Sequence, residues 1–310
     1  GLNAMSTDKF KDLIVYFNGE YVAWDQANIH VFSPAVKYGA SVFEGIRGYW
    51  NADKEKLFLF RLQDHMERIE LSQRIMRFDE IAPAGPLCDA TVELMRRNKF
   101  KASVHIRPTV YLDEYGESSA RGPIGQFITA IERGTPQKVE DGVRAQVSSW
   151  ERISDRSMPA RAKSNANYNN SRYAGIQSKI DGYDAAIMLN SRGKISEGQG
   201  MCVFIIRNGV AITPSVTSDI LESITRDTVI TLLKEMGIEV QERDMDRSEF
   251  YDASEAFFCG TGWEVTPIND VDGSPIGAGK PGELTRKLQS AYFDLVLGVT
   301  EDTRGWLTEV

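Results

Sequence analysis

Apolar and polar residues alternate with strand periodicity through much of the first half of the chain. The clearest hairpin has apolar stretches at 13–17 and 20–24 on either side of Asn18-Gly19, the dipeptide most typical of a two-residue turn. Helical spacing of apolar residues instead predicts helices that include Leu62 to Met76 and Ala90 to Lys99. Further strands are predicted at 45–50, 56–60, 103–111 and 125–131. The fold is therefore expected to begin with antiparallel strands.

Strands and helices alternate in the second half of the chain. The helix at 170–180 is expected to turn Tyr173, Ile176 and Ile180 toward the core. The other predicted helices cover 225–236, which ends at Gly237, and 282–297. Strands are predicted at 143–149, 185–190, 194–198, in a hairpin at 203–213, at 238–240, at 256–258 and from 263.

A composition change near the middle predicts the domain boundary. Residues 132–142 include Gly134 and Pro136 and have little apolar content, which is typical of a linker. We therefore expect a small N-terminal α/β domain at 5–131, a linker loop at 132–142 and a larger C-terminal domain at 143–310. Residues 1–4, which precede Met5, are interpreted as a remnant of expression and are left out of the fold prediction.

Composition narrows the class of protein. Of 310 residues, 42% are hydrophobic and 26% charged, as in an ordinary globular protein. The net charge of −8 without a basic stripe argues against nucleic-acid binding. Cys88, Cys202 and Cys259 are widely separated, which indicates free thiols and no metal site. No apolar run is long enough to span a membrane, so a cytoplasmic protein is expected.

Two segments carry candidate chemistry. Residues 158–168 are rich in small and polar residues, and this loop suits a Lys163 amine that points into a polar cavity and reacts with a carbonyl group. A solvated lysine is the more common explanation of such a loop. Glu197 lies where the predicted strand at 194–198 ends, and it could equally be an exposed turn carboxylate.

Taken together, these segments indicate a family. The loop with Lys163 and Asn167-Tyr168, followed by Ile195-Ser196-Glu197-Gly198, resembles the signature of fold-type IV pyridoxal-phosphate enzymes. It is most similar to the branched-chain amino acid aminotransferases. Other family motifs follow in order at 38–47, 65–68, 106–108, 224–227 and 260–261. The resemblance implies a mixed α/β fold of two domains, a smaller N-terminal α/β sandwich and a larger C-terminal pseudo-barrel.

The resemblance also implies how pyridoxal 5'-phosphate would be held. Lys163 would bond covalently to its aldehyde and act as general acid and base, and Glu197 would pair with the pyridine nitrogen. Tyr168 would hydrogen-bond the phenolic oxygen, although it could simply pack beside the following helix. The phosphate would be bound by Ile224, Thr225, Thr261 and Arg68, of which Arg68 could instead form an ordinary surface salt bridge.

The implied substrate contacts lie mainly in the first half. Tyr38 and Phe43 match positions that line an apolar pocket, and Arg107 matches the arginine that reads an anionic end of the substrate. Thr261 and Gly262 would bind the α-carboxylate. His105 stands where the family frequently has tyrosine, and the strand face that it shares with Arg107 is either solvated or lines a site.

The expected activity is transfer of the amino group between leucine, isoleucine or valine and 2-oxoglutarate in a ping-pong reaction. Alternatives within the fold are an aminotransferase for D-amino acids or (R)-amines, or an enzyme that resembles aminodeoxychorismate lyase. The non-enzyme alternative is a binding or scaffold protein. Met201-Cys202 and Glu222-Ser223 depart from the family pattern. Family members are commonly homodimers or larger homo-oligomers, so oligomerisation is implied by resemblance alone.

Overall fold

The computed structural model describes residues 8–310, so the segment interpreted as an expression remnant lies outside it. The helices are α1 Pro34–Tyr38, α2 Leu62–Ile75, α3 Ala84–Asn98, α4 Lys138–Asp141, α5 Tyr168–Ile180, α6 Ile224–Glu235 and α7 Glu283–Val296. The strands are β1 Ile14–Phe17, β2 Glu20–Ala23, β3 Ser41–Phe43, β4 Ile46–Asn51, β5 Lys56–Phe60, β6 Val104–Leu112, β7 Ile124–Glu132, β8 Val143–Val147, β9 Ala185–Leu189, β10 Ile195–Gly198, β11 Cys202–Arg207, β12 Val210–Thr213, β13 Val240–Glu242, β14 Glu255–Gly260, β15 Glu264–Val271, β16 Ser274–Pro275 and β17 Leu307–Glu309.

The described residues cluster into two compact units. The first unit contains the chain up to Gly134, with Ser164–Ala166 and Asp302–Val310, and the second contains Thr135–Lys163 and Asn167–Glu301. The predicted domain division stays a prediction. Residues 302–310 nevertheless cluster with the first unit because β17 pairs with β5, and the segment predicted as a linker includes α4.

The first unit is built on an antiparallel sheet in the order β17-β5-β4-β6-β7-β1-β2, with β3 paired to β6. The helix α2 buries Leu62, Met66 and Ile69, which recur at helical spacing and therefore share one face. That face belongs to the same apolar core as Val104 and Ile106 of β6. Val104 and Ile106 therefore point to the same side of β6, as strand periodicity requires.

The second unit is built on a mixed sheet in the order β10-β9-β8-β15-β14-β11-β12-β13, with β16 paired to β15. β8 lies parallel to both β9 and β15, and β12 lies parallel to β13, whereas the other pairs are antiparallel. Its core includes Ile187, Val203 and Phe258, all fully buried. The end of β10 and the start of α6 both belong to this second unit.

The orientation predicted for α5 is wrong. Tyr173, Ile176 and Ile180 are 53%, 41% and 72% exposed, whereas the buried face is formed by the small residues Ser171, Ala174 and Ser178. Ala174 clusters with Ala186 and Met188 of β9. Small side chains let the helix backbone approach the sheet closely, and the larger apolar residues are then left on the outer face.

Within residues 8–310, no helix is both long enough and apolar enough to cross a membrane.

Candidate active site

The loop before α5 holds Lys163 beside a tyrosine. The side-chain amide of Asn167 donates hydrogen bonds to the carbonyl oxygens of Pro159 and Ala162, each at 3.1 Å, and so fixes the turn that carries the lysine. Lys163 Nζ donates to the Tyr168 hydroxyl oxygen at 2.6 Å, and the lysine is half-buried. The loop predicted from composition is therefore confirmed, and it holds the amine in a defined place.

Glu197 is buried at the end of β10, with 4% of its surface exposed. Its Oε1 lies 2.8 Å from Arg152 Nη2, and its carboxylate accepts from the Leu221 amide at 3.3 and 3.4 Å. Cys202 Sγ lies 3.9 Å from Oε2. The alternative of an exposed turn carboxylate is therefore wrong.

The surroundings of Glu197 act on its charge in opposite directions. Burial raises the pKa of Glu197 above its ordinary value, because the anion loses its hydration. The positive charges of Arg152 and Lys163 and the amide of Leu221 oppose that increase in pKa.

Candidate phosphate ligands lie at the start of α6 and after β14. The Ser223 hydroxyl caps α6 by accepting from the Arg226 amide at 3.0 Å, and Thr225 in the first turn is buried. A helix start with a hydroxyl group suits a bound anion. Thr261 is half-buried, and a side chain added at Gly262 would meet no atom within 4 Å, so this turn has open space beside it.

In the first unit, Arg68 forms a bidentate ion pair with Glu44. Its Nε and Nη2 lie 2.8 and 2.7 Å from the two carboxylate oxygens, and His65 Nδ1 lies 2.7 Å from Oε1. Arg68 and His65 lower the pKa of the fully buried Glu44 to about 2, although burial acts in the opposite direction. Arg68 is 11% exposed, so it is not an ordinary surface salt bridge.

The predicted substrate residues of the first unit fall into two groups. Arg107 lies exposed on β6 with its guanidinium carbon 3.9 Å from the centre of the buried Phe43 ring. His105 is closely apposed to Gly45, where an added Cβ would lie 3.2 Å from Cε1. Tyr38 is 45% exposed, and its hydroxyl donates to Glu117 at 3.0 Å. Phe43 and Arg107 are thus brought together, and Tyr38 faces a different partner.

The donor set of the second unit fits pyridoxal phosphate. A half-buried amine bonded to a phenol, a buried carboxylate and a hydroxyl-bearing helix start are the groups that the aldehyde end, pyridine nitrogen and phosphate require. The residues predicted from the sequence do not include Arg152 or Leu221, which bind the Glu197 carboxylate. No residue pattern separates a buried loop arginine from the more common solvated one, so only the fold could identify them.

Comparison with known proteins gives consistent matches over nearly the whole chain. Residues 41–271 match the family described as Amino-transferase class IV. The branched-chain-amino-acid aminotransferase of Escherichia coli (strain K12) is 40% identical over 304 residues, which cover 96% of this chain and 97% of that protein.

Solved structures agree with this relationship. The branched-chain aminotransferase from the archaeon Thermoproteus uzoniensis, solved with norvaline, has a TM-score of 0.91 and 43% identity, covering 96% of this chain and 99% of that one. The branched-chain amino acid aminotransferase from Thermobaculum terrenum, solved in its pyridoxal-phosphate form, has a TM-score of 0.90 and 40% identity, covering 97% and 99%. These matches confirm the mixed α/β fold expected from the sequence.

Proposed function

This chain belongs to the class IV aminotransferases, and we propose the residues by which it acts. It is a pyridoxal-phosphate-dependent enzyme that transfers the amino group between a branched-chain L-amino acid and 2-oxoglutarate. When bound, the cofactor supplies a carbonyl that takes up the amino group and a ring that accepts electrons.

Lys163 is the catalytic residue. Its amine would hold the cofactor covalently, and once the amino group of the substrate has replaced it, the freed amine would move a proton to and from the α-carbon of the substrate as general acid and base. The hydrogen bond from Nζ to Tyr168 keeps the amine aimed at one place, and the same hydroxyl is a donor for the phenolic oxygen of the cofactor. This 2.6 Å pairing, in the unit that also buries Glu197, is the observation that carries the proposal.

Glu197 binds the pyridine nitrogen. A carboxylate there keeps that nitrogen protonated, which an apolar side chain could not do. The buried position excludes water that would otherwise compete for the carboxylate.

The remaining cofactor ligands serve the phosphate. The start of α6, with Ile224 and Thr225, supplies amide and hydroxyl donors, and Thr261 supplies another hydroxyl. Arg68 supplies a planar cation, held in orientation by its two hydrogen bonds to Glu44.

Both apolar and positively charged residues recognise the substrates. Phe43 and Tyr38 offer apolar surface to a branched side chain, whereas Arg107 binds the distal carboxylate of glutamate. The stacking of Arg107 on Phe43 supports this division, because one small region then offers both a cation and an apolar ring. Thr261 and Gly262 bind the α-carboxylate, and His105, which lies beside Gly45, completes the substrate residues assigned to the first unit.

A homo-oligomer is proposed as the functional form. The first unit exposes apolar residues, here called the Phe32 cluster, that consist of Val31, Phe32, Val36 and Tyr115. Exposed apolar surface is typical of protein interfaces. A cytoplasmic location is also proposed, because all three cysteines are free thiols.

The test of the proposed function is an assay of wild type and Arg107→Ala with leucine, isoleucine, valine and both alanine enantiomers, with 2-oxoglutarate as acceptor. Wild type should use the branched L-amino acids, and the variant should lose kcat/KM for 2-oxoglutarate and glutamate by about a hundredfold more than for leucine. The matched control is Arg121→Ala, which removes an exposed arginine of the same unit. Equal losses for glutamate and leucine contradict the role of Arg107, and a preference for D-alanine contradicts the substrate class.

A further inference from the structure

Arg152 is an almost completely buried arginine that no step described so far uses. It follows β8 in a loop and is 6% exposed. Its Nη2 lies 2.8 Å from Glu197 Oε1, its Nη1 donates to Ser171 Oγ at 3.2 Å, and its Nε donates to the Asp219 carbonyl oxygen at 3.2 Å. Each guanidinium nitrogen therefore has a partner, and these partners fix the plane of the group.

This geometry also fixes the Glu197 carboxylate. One oxygen is bound by Arg152, and both accept from the Leu221 amide, so the carboxylate cannot rotate without breaking several hydrogen bonds. An isolated buried carboxylate would take up a proton to avoid the cost of desolvation. A buried arginine at 2.8 Å opposes that by stabilising the anion.

The other titratable groups facing Glu197 cannot replace Arg152. Lys163 favours the anion, but the proposed function requires its amine to react with the cofactor. Cys202 is only 3.9 Å away and is a weak donor, and Cys259 on β14 favours the neutral thiol because burial raises its pKa. The lasting positive charge beside Glu197 is therefore that of Arg152.

We propose that Arg152 is a positioning residue, which holds Glu197 ionised and oriented so that this carboxylate can bind the pyridine nitrogen. The inference rests on the proposed function and adds to it the origin of the charge at Glu197. The competing explanation is that Arg152 only fastens the loop after β8 to α5, through its hydrogen bond to Ser171. The two explanations differ in one respect, because a positioning role must depend on the Glu197 carboxylate.

A double-mutant cycle separates them. The apo forms of wild type, Arg152→Met, Glu197→Gln and the double variant are titrated with pyridoxal phosphate, and the absorbance of the bound cofactor is followed against pH. Arg152→Met should weaken cofactor binding by roughly ten- to a hundredfold, as removal of an outer partner of a ligand typically does. Its pH-dependent absorbance should shift toward that of Glu197→Gln, and Arg152→Lys should recover part of the affinity.

In the Glu197→Gln background, Arg152→Met should change the Kd by no more than about twofold, because the carboxylate on which it acts is gone. The matched control is Arg207→Met, which breaks an arginine–carboxylate pair with Glu249 in the same unit. It should leave cofactor affinity unchanged. Thermal unfolding of each variant shows whether the fold is retained.

Two outcomes overturn the inference alone. One is a folded Arg152→Met variant with wild-type affinity and wild-type pH dependence. The other is an equal loss of affinity in both backgrounds, which indicates a structural role. A wild-type protein that binds no pyridoxal phosphate instead overturns the proposed function, and the inference with it.

Discussion

At the residue scale, the buried carboxylates of Glu44 and Glu197 are each paired with an arginine that lies 24 or more residues away along the chain. Glu44 is fully buried with Arg68 and His65, and Glu197 is buried with Arg152. Breaking such a pair leaves an uncompensated charge in the interior, which is far more costly than losing an exposed ion pair. These pairs are therefore sensitive positions for both stability and function.

The Glu44 pair predicts a specific dependence of stability on pH. Because the folded pKa of Glu44 is about 2, against an ordinary 4.5, its stabilising contribution is complete above pH 4.5 and is lost as the pH falls toward 2. Glu44→Gln should lower the free energy of unfolding near neutral pH by about 3 kcal/mol, and this difference should shrink in acid.

Denaturant unfolding of both proteins across that pH range measures the difference. Glu117→Gln is the control, since this exposed carboxylate also has a lowered pKa but is screened by solvent, and little change is expected. A Glu44→Gln deficit that is constant from neutral to acid pH would contradict the assignment.

Some properties of the active-site residues could be predicted from the sequence, whereas their contacts and burial could not. Lys163, Tyr168 and Glu197 could be proposed because their order along the chain resembles a family signature. The contact between Lys163 and Tyr168 could not be predicted, since a hydrogen bond of 2.6 Å depends on how a loop folds back. Arg152 had no signal at all, because the loop after β8 is polar and its burial arises only when the fold is complete.

At the scale of elements, most strands and helices follow from local periodicity. The hairpin β1–β2 forms around Asn18-Gly19 as expected, and α2 buries the face predicted by Leu62, Met66 and Ile69. The failure at α5 has a clear cause. Periodicity identifies the larger apolar residues, but close contact with β9 selects small ones such as Ala174, so the apolar face lies outward.

The pairing of β6 with β7 requires a glycine at one position. Gly125 lies directly opposite Tyr111, and an added Cβ would lie 2.7 Å from Cε1 of that buried ring. Gly125→Ala should therefore displace the ring and lower the free energy of unfolding by about 1–3 kcal/mol.

Gly134→Ala is the matched control for that substitution. Gly134 follows β7 in the same unit, and an added Cβ there would meet no atom within 4 Å. Its free energy of unfolding should be unchanged or slightly increased, as measured by urea denaturation. Equal stability of the Gly125 and Gly134 variants would show that Tyr111 does not occupy the space described.

At the scale of the whole molecule, the exposed Phe32 cluster predicts self-association. Phe32 packs edge-on against Tyr115 with ring centres 6.3 Å apart, so these two exposed rings lie side by side. Sedimentation velocity should give a mass at least twice the 34.7 kDa of the chain. Phe32→Asp should weaken the association, because it places a charge in the apolar surface.

Val299→Asp provides the control, since Val299 is also exposed and apolar but lies outside the cluster. It should leave the sedimentation coefficient unchanged. A monomeric wild-type protein, or equal effects of the two substitutions, would contradict the proposed interface.

The proposed activity requires one covalent attachment site, and borohydride reduction in the presence of pyridoxal phosphate tests that site directly. The reduced protein is digested, and the modified peptide is identified by mass spectrometry. We predict a single phosphopyridoxyl group on Lys163, the lysine whose amine donates to Tyr168. Modification of a different lysine, or no modification of a folded protein, would contradict the proposed active site.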